Sequence, residues 1–238
     1  MDAWLEFYRQ ISAAIESAGD IMFFRGHRDA SWSLLPTLAR VQVQNSSELE
    51  KVVYFDFQTR AGSLLPANNS CWNNAFAMQH HGLPTRLLDW TENFATALYF
   101  ALKEATGECC VWMLDPFALN AEAINQAALL RPEDLNGTYD DYFISDRKKL
   151  EAQAIAISPL RHHPRVFHQR AGFTVHDDLK ASLDTIYPDA FKKFVIPEDA
   201  HDSARQFLKL VGISEFTLFP DLDGLGRELN YEHFRKRS

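Results

Sequence analysis

The sequence predicts an α+β fold in a single domain, helices mainly N-terminal and strands mainly later. Three observations predict it. The 238 residues are 46% apolar and 24% charged, enough for one ordinary core. Apolar residues recur at helical spacing through most of the first half. From residue 154 onward, short β-branched or aromatic runs alternate with turn residues. No internal repeat, heptad array or low-complexity stretch competes with this pattern.

The elements follow in order. Trp4, Tyr8, Ile11 and Ile15 share one helical face over 4–16, and Gly19 supplies a stop. The run 21–26 (IMFFRG) reads as a buried strand with Arg25 at its C-terminal end. Residues 29–40 read as a turn and extended segment, because Pro36 disfavours helix at Leu35. Leu49, Val52, Val53 and Phe57 predict a helix over 46–61, capped by Ser46 or Ser47. Another helix covers 72–80 and breaks at Gly82 and Pro84. Thr91 is the expected N-cap of a third, with Phe94, Ala95, Leu98, Tyr99 and Leu102 on its apolar face.

The run 110–114 reads as a strand closed by Asp115-Pro116, and 121–130 as helix. The polar stretch 131–150 reads as an exposed insertion or lid. Strands are expected at 154–157, 165–169, 172–176 and 193–197, a helix at 199–211, and a last helix opened by Pro220.

Composition narrows the function. A formal charge of -8 argues against a broad nucleic-acid footprint, although Arg and His gather in 161–170. Three cysteines (Cys71, Cys109, Cys110) form no framework and predict a reduced, cytoplasmic protein. No signal-peptide pattern and no apolar run of ~20 residues occurs, so no membrane partner is expected.

Two stretches gather polar groups suited to chemistry. Arg25, at a strand end before Gly26, can meet an anion with its planar fork, Gly26 letting the ligand approach the backbone. It can equally form a structural salt bridge. In 79–91 (QHHGLPTRLLDWT), Arg86 and Asp89 lie three apart and can pair on a helical turn. Either Asp89 orients Arg86 toward a ligand, or the pair is a buried strut. Of the adjacent His80 and His81, only one can face a common pocket. Their spacing matches no metal motif, so no metal is expected. Dinucleotide, P-loop, nucleophile-elbow and kinase motifs are all missing. What remains is Arg, Thr, Asp, His and aromatic groups with no obvious nucleophile. Such a set suits binding, or a transfer in which the substrate supplies the leaving group.

The residues FFRGH (23–27), Trp32 and Pro36, QHHGLPTRLLDWT, ALYFAL (97–102), HQRAGFTV (168–175) and GISEFTLFPDLDGL (212–225) together resemble the FRG domain family, in its order. The resemblance reaches from about 23 to 225, within a core of 20–228. One departure is Asn93-Phe94, where the family has Asn-Pro.

The resemblance implies a mostly antiparallel sheet likened to that of ADP-ribosyltransferases. It also implies toxin-like or anti-phage defence roles. NAD is then the expected cofactor-like substrate, with RNA, DNA or protein as acceptor and an antitoxin as a further partner. Carried over by residue, Arg25 holds NAD, Thr85 frames the nicotinamide pocket and Gln169 contacts the ribose. ADP-ribosyltransferases carry a Glu or Gln in that role, and a Gln lacks the negative charge of the Glu. The same reading places Gly26, His81 and Trp32 beside the cofactor. Arg86 aids the diphosphate grip, Asp89 stabilises charge at the ribose, and Phe23, Phe24, Trp32 or Tyr99 forms an aromatic wall. The alternatives are a non-catalytic module that binds a nucleotide or partner, and an NAD glycohydrolase.

Overall fold

The computed structural model describes residues 3–41, 43–66, 69–159 and 171–235. Its centre is one six-stranded sheet, β1 (Phe23–His27), β2 (Leu87–Thr91), β3 (Cys109–Leu114), β4 (Ala154–Ile157), β5 (Ala171–His176) and β6 (Phe191–Ile196), in the order β4-β5-β2-β1-β3-β6. Every neighbouring pair is antiparallel, as expected. The helices are α1 (Ala3–Glu16), α2 (Thr37–Arg40), α3 (Ser46–Ala61), α4 (Cys71–His80), α5 (Phe94–Leu102), α6 (Pro116–Ile124), α7 (Leu183–Ile186), α8 (His201–Leu210), α9 (Glu215–Leu218) and α10 (Leu222–Asn230).

Successive side chains on a strand point to opposite faces, and both faces of this sheet are covered. Phe24, Val111 and Met113 turn to one face, where Phe7 and Ile11 of α1, Leu98 and Ala101 of α5, and Ala204 and Leu208 of α8 bury them. Phe23, Cys110, Trp112 and Leu114 turn to the other, against Leu119 of α6 and Leu183 of α7. A third cluster sets Leu87, Ile155 and Val175 against Tyr54 of α3 and Trp72, Ala75 and Met78 of α4.

The central pair is irregular. β3 pairs with β1 along all five residues of β1, whereas β1 and β2 share only Phe24↔Thr91. Toward His27 and Leu88 the two strands part.

Several expectations are corrected. Residues 87–91 are strand rather than helical turn, because Leu87, Leu88 and Trp90 are buried between two helical layers. Asn93, not Thr91, caps α5: its Oδ1 accepts from the Ala95 and Thr96 amides. The helix expected at 121–130 runs from Pro116 to Ile124, started by the Asp115 cap. The stretch 131–150 is exposed only in part, including 145–149. Tyr139, Tyr142, Phe143 and Ile144 are buried in the third cluster, so its aromatic content outweighs its acidic residues. The strand expected at 165–169 lies outside the described residues.

Candidate functional site

Arg25 and His27 are two apart on β1 and therefore share a face. The segment after β1 folds back over that face. Leu34 N–H donates to Ser182 Oγ (2.9 Å), and Leu183 N–H donates to Leu34 O (3.3 Å). Leu38 N–H donates to Thr85 O (3.1 Å), fixing α2 against the loop before β2. The fold-back encloses a cleft of about 320 Å³ lined by Arg25, His27, Ser31, Trp32, Ser33, Leu35 and Arg40.

Arg25 is held in a defined orientation. Its Nε donates to His27 Nε2 (3.1 Å), and its Nη1 donates across the parting strands to Asp89 O (2.7 Å). Burial lowers its pKa to about 10; the Asp89 charge opposes that shift and Arg40 adds to it. The guanidinium remains charged at neutral pH. His27 is buried, and burial first, then Arg25, pull its pKa down to about 3. It is therefore a neutral acceptor at Nε2 with its proton on Nδ1. That Nδ1 meets no partner in hydrogen-bond geometry, although the Trp32 backbone favours its proton. Arg40 and Lys193 also lower His27, so the cleft floor lies in a positive field.

Arg40, at the end of α2, is exposed and donates from Nη2 to Thr37 Oγ1 (3.0 Å). Burial of part of its side chain lowers its pKa, and Asp89 opposes this. Trp32 is 36% exposed at the mouth, with the Arg28 guanidinium 5.0 Å from its ring centroid.

The other expected residues lie elsewhere. Arg86 does not pair with Asp89 and does not reach the cleft. It is buried against Glu50 of α3, donating from Nε (2.9 Å) and Nη2 (2.6 Å), with Nη1 on His176 O (3.0 Å). Burial alone would lower its pKa, but Glu50, Tyr139 and Asp177 together outweigh burial and raise it. Tyr139 donates its hydroxyl to the other Glu50 oxygen. The strut reading therefore describes Arg86, with a partner 36 residues away instead of three.

The Asp89 side chain follows the opposite strand face and accepts from Gln79 Nε2 on α4. Only its carbonyl touches Arg25. Thr85 is buried, accepting from Leu87 N–H (3.1 Å) and donating to Gln79 Oε1 (2.6 Å). These bonds run one way, from the Leu87 amide through Thr85 and Gln79 to Asp89, and fix the loop. His81 is the exposed C-cap of α4, edge-to-face with His80 at 5.0 Å. Gly82, at φ +79°, turns the chain out of that helix.

Gly26 faces α5 rather than the cleft: a Cβ there would lie 2.0 Å from Ala97 O. Phe23 and Phe24 are buried in opposite cores, and Tyr99 donates its hydroxyl to Glu215. Of the four aromatic candidates, Trp32 alone lines the cleft. Gln169 lies outside the described residues.

Sequence reasoning missed His27, Arg40, Gln79 and Glu50. The two-residue spacing in Phe-Phe-Arg-Gly-His was a usable signal for His27. Arg40 had none, because a long-range contact from Leu38 to Thr85 places it.

Among the described residues, no group of three or more His, Cys, Asp or Glu is placed to hold a metal, and no helix is long and apolar enough to cross a membrane. Comparison with curated proteins and with solved structures gives no match. The family model of the FRG domain matches residues 20–109, which include every residue lining the cleft. The chain is similar to the FRG domain over that span, and the cleft is built within it.

Proposed function

We propose that the cleft binds a nucleotide and that the chain is an NAD-dependent ADP-ribosyltransferase acting on a macromolecule. One observation carries this reading: an oriented guanidinium, Arg25, and a half-open indole, Trp32, face the same positively charged cleft. The guanidinium suits a phosphate and the indole a planar base or nicotinamide ring. The volume, about 320 Å³, is at the small end for a ligand pocket and suits part of a dinucleotide.

The reaction breaks the bond between ribose and nicotinamide. Positive charge builds on the ribose as in glycoside hydrolysis, and nicotinamide leaves as a neutral base. The acceptor supplies the new nucleophile, so the cleft needs none of its own. RNA, DNA or protein is the acceptor in this reading, and the role is that of a toxin or defence effector with a neutralising partner.

One observation favours a second reading, a non-catalytic nucleotide-binding module. No carboxylate lines the described cleft, and the Asp89 carboxylate is bonded to Gln79 on the opposite strand face.

Labelled NAD incubated with the protein and RNA, DNA or lysate protein separates the readings. Label transfer with nicotinamide release supports the transferase. Release without transfer supports a glycohydrolase, and binding without release supports the module. Arg25→Gln should lower turnover by at least about 100-fold. Its melting temperature should stay within a few degrees of the parent; a collapse would make Arg25 a structural residue alone.

A further inference from the structure

We propose that Arg25 and Arg40 together clamp a diphosphate, and that Arg40 is the residue by which the cleft distinguishes a diphosphate from a monophosphate. The inference rests on the reading of the cleft as a nucleotide site and adds a second, independently testable residue to it.

Both guanidinia line one cleft. Among the described residues, neither has a carboxylate within salt-bridge distance, whereas Arg28, Arg60, Arg86, Arg131, Arg147, Arg205 and Arg227 each do. Asp89 supports both charges, but only at longer range. Two like charges in a partly desolvated cleft repel, and Arg40 is one of the groups that lower the Arg25 pKa. An anion between them removes that repulsion.

The hydrogen bonds already made leave donors open on both guanidinia. Arg25 uses Nε and one Nη1 proton on His27 and Asp89, so Nη2 and the second Nη1 proton remain. Arg40 uses one Nη2 proton on Thr37, so Nε, Nη1 and the second Nη2 proton remain, which include one complete two-donor edge. Each guanidinium is tethered on one side and presents paired donors on the other, the arrangement that suits phosphate oxygens. A monophosphate can occupy one fork. A diphosphate can occupy both.

The test is calorimetric titration of the full chain with ADP, AMP and inorganic pyrophosphate at fixed ionic strength. The parent protein should bind ADP at least about ten-fold more tightly than AMP, the gain expected of a second charge-assisted fork. Arg40→Gln should bring that ratio below about three-fold while AMP affinity changes little. Arg60→Gln, a surface control on α3 far from the cleft in sequence, should leave the ratio intact. Pyrophosphate binding that also depends on Arg40 would assign the preference to the diphosphate rather than the nucleoside.

An unchanged ratio in Arg40→Gln, equal affinity of the parent for ADP and AMP, or no ADP binding would overturn the clamp. NAD turnover is measured separately. An Arg40-dependent ADP preference without turnover keeps the clamp and removes the transferase. Turnover with an unchanged ratio does the reverse.

Discussion

At the scale of residues, Arg25 and Arg86 have opposite fates. Arg25 is held by neutral acceptors and keeps its charge available. Arg86 is neutralised by Glu50, and Tyr139 completes the carboxylate's bonding. Side-chain exposures of 5% and 0% put the Arg86–Glu50 pair in the interior, where removing one partner strands the other. Arg86→Met should therefore cost about 3–5 kcal/mol, because Glu50 loses its counter-charge. Arg86→Met combined with Glu50→Leu should recover a substantial part. Urea unfolding of both variants measures this; a double variant no more stable than the single would show that packing, not charge, is at stake.

At the scale of elements, the close approach of β1 and α5 depends on one missing methyl. A Cβ on residue 26 would meet Ala97 O at 2.0 Å and Ala101 N at 2.4 Å, both backbone atoms that cannot swing aside. Gly26→Ala should lower the melting temperature by several degrees, corresponding to about 1–3 kcal/mol of overpacking. A scanning melt reads it, and an unchanged transition would mean that α5 can shift freely.

The same scale shows what the sequence made legible. Helical spacing of Leu49, Val53 and Phe57 gave α3 over 46–61, and the apolar run at 110–114 gave β3 to within one residue. β2 was missed because Arg86 and Asp89 fit a helical turn as well as a strand. The difference lies in β5, whose residues 171–175 pair with 87–91 across eighty or more positions. Arg25 was legible in the cleft because strand and motif both point to it. Gly26 was legible as a tight position, but its neighbour is a helix backbone rather than a ligand. Arg40 and Glu50 act through long-range contacts, which no local pattern encodes.

At the scale of the whole molecule, stability should depend on pH through two buried neutral histidines. His27 and His176 each have a pKa near 3, lowered first by burial from an ordinary 6.5. Thr174 Oγ1 lies 3.1 Å from His176 Nε2 and also accepts from Trp90 Nε1. The hydroxyl thus bridges the indole and the imidazole, its direction toward His176 set by the tautomer of the ring. Between pH 6.5 and 3 the unfolded chain binds protons that the folded chain refuses, so stability is full above this window and falls as pH drops through it. The loss is roughly 2 kcal/mol per histidine at pH 5. His176→Gln, which keeps an acceptor and cannot titrate there, should flatten the decline between pH 7 and 5. A melt series with the same slope as the parent would assign acid sensitivity to the carboxylates.

The parting of β1 from β2 has a further consequence. A sheet normally carries force through a row of equivalent rungs, so losing one is absorbed by the rest. Here the halves β4-β5-β2 and β1-β3-β6 share one paired rung, Phe24↔Thr91, with the bond from Arg25 to the Asp89 carbonyl beside it, and are otherwise joined by side-chain packing. The group proposed to grip an anion is thus also a stitch in the seam. A ligand that binds Arg25 would therefore act on a side chain whose bond already spans the join.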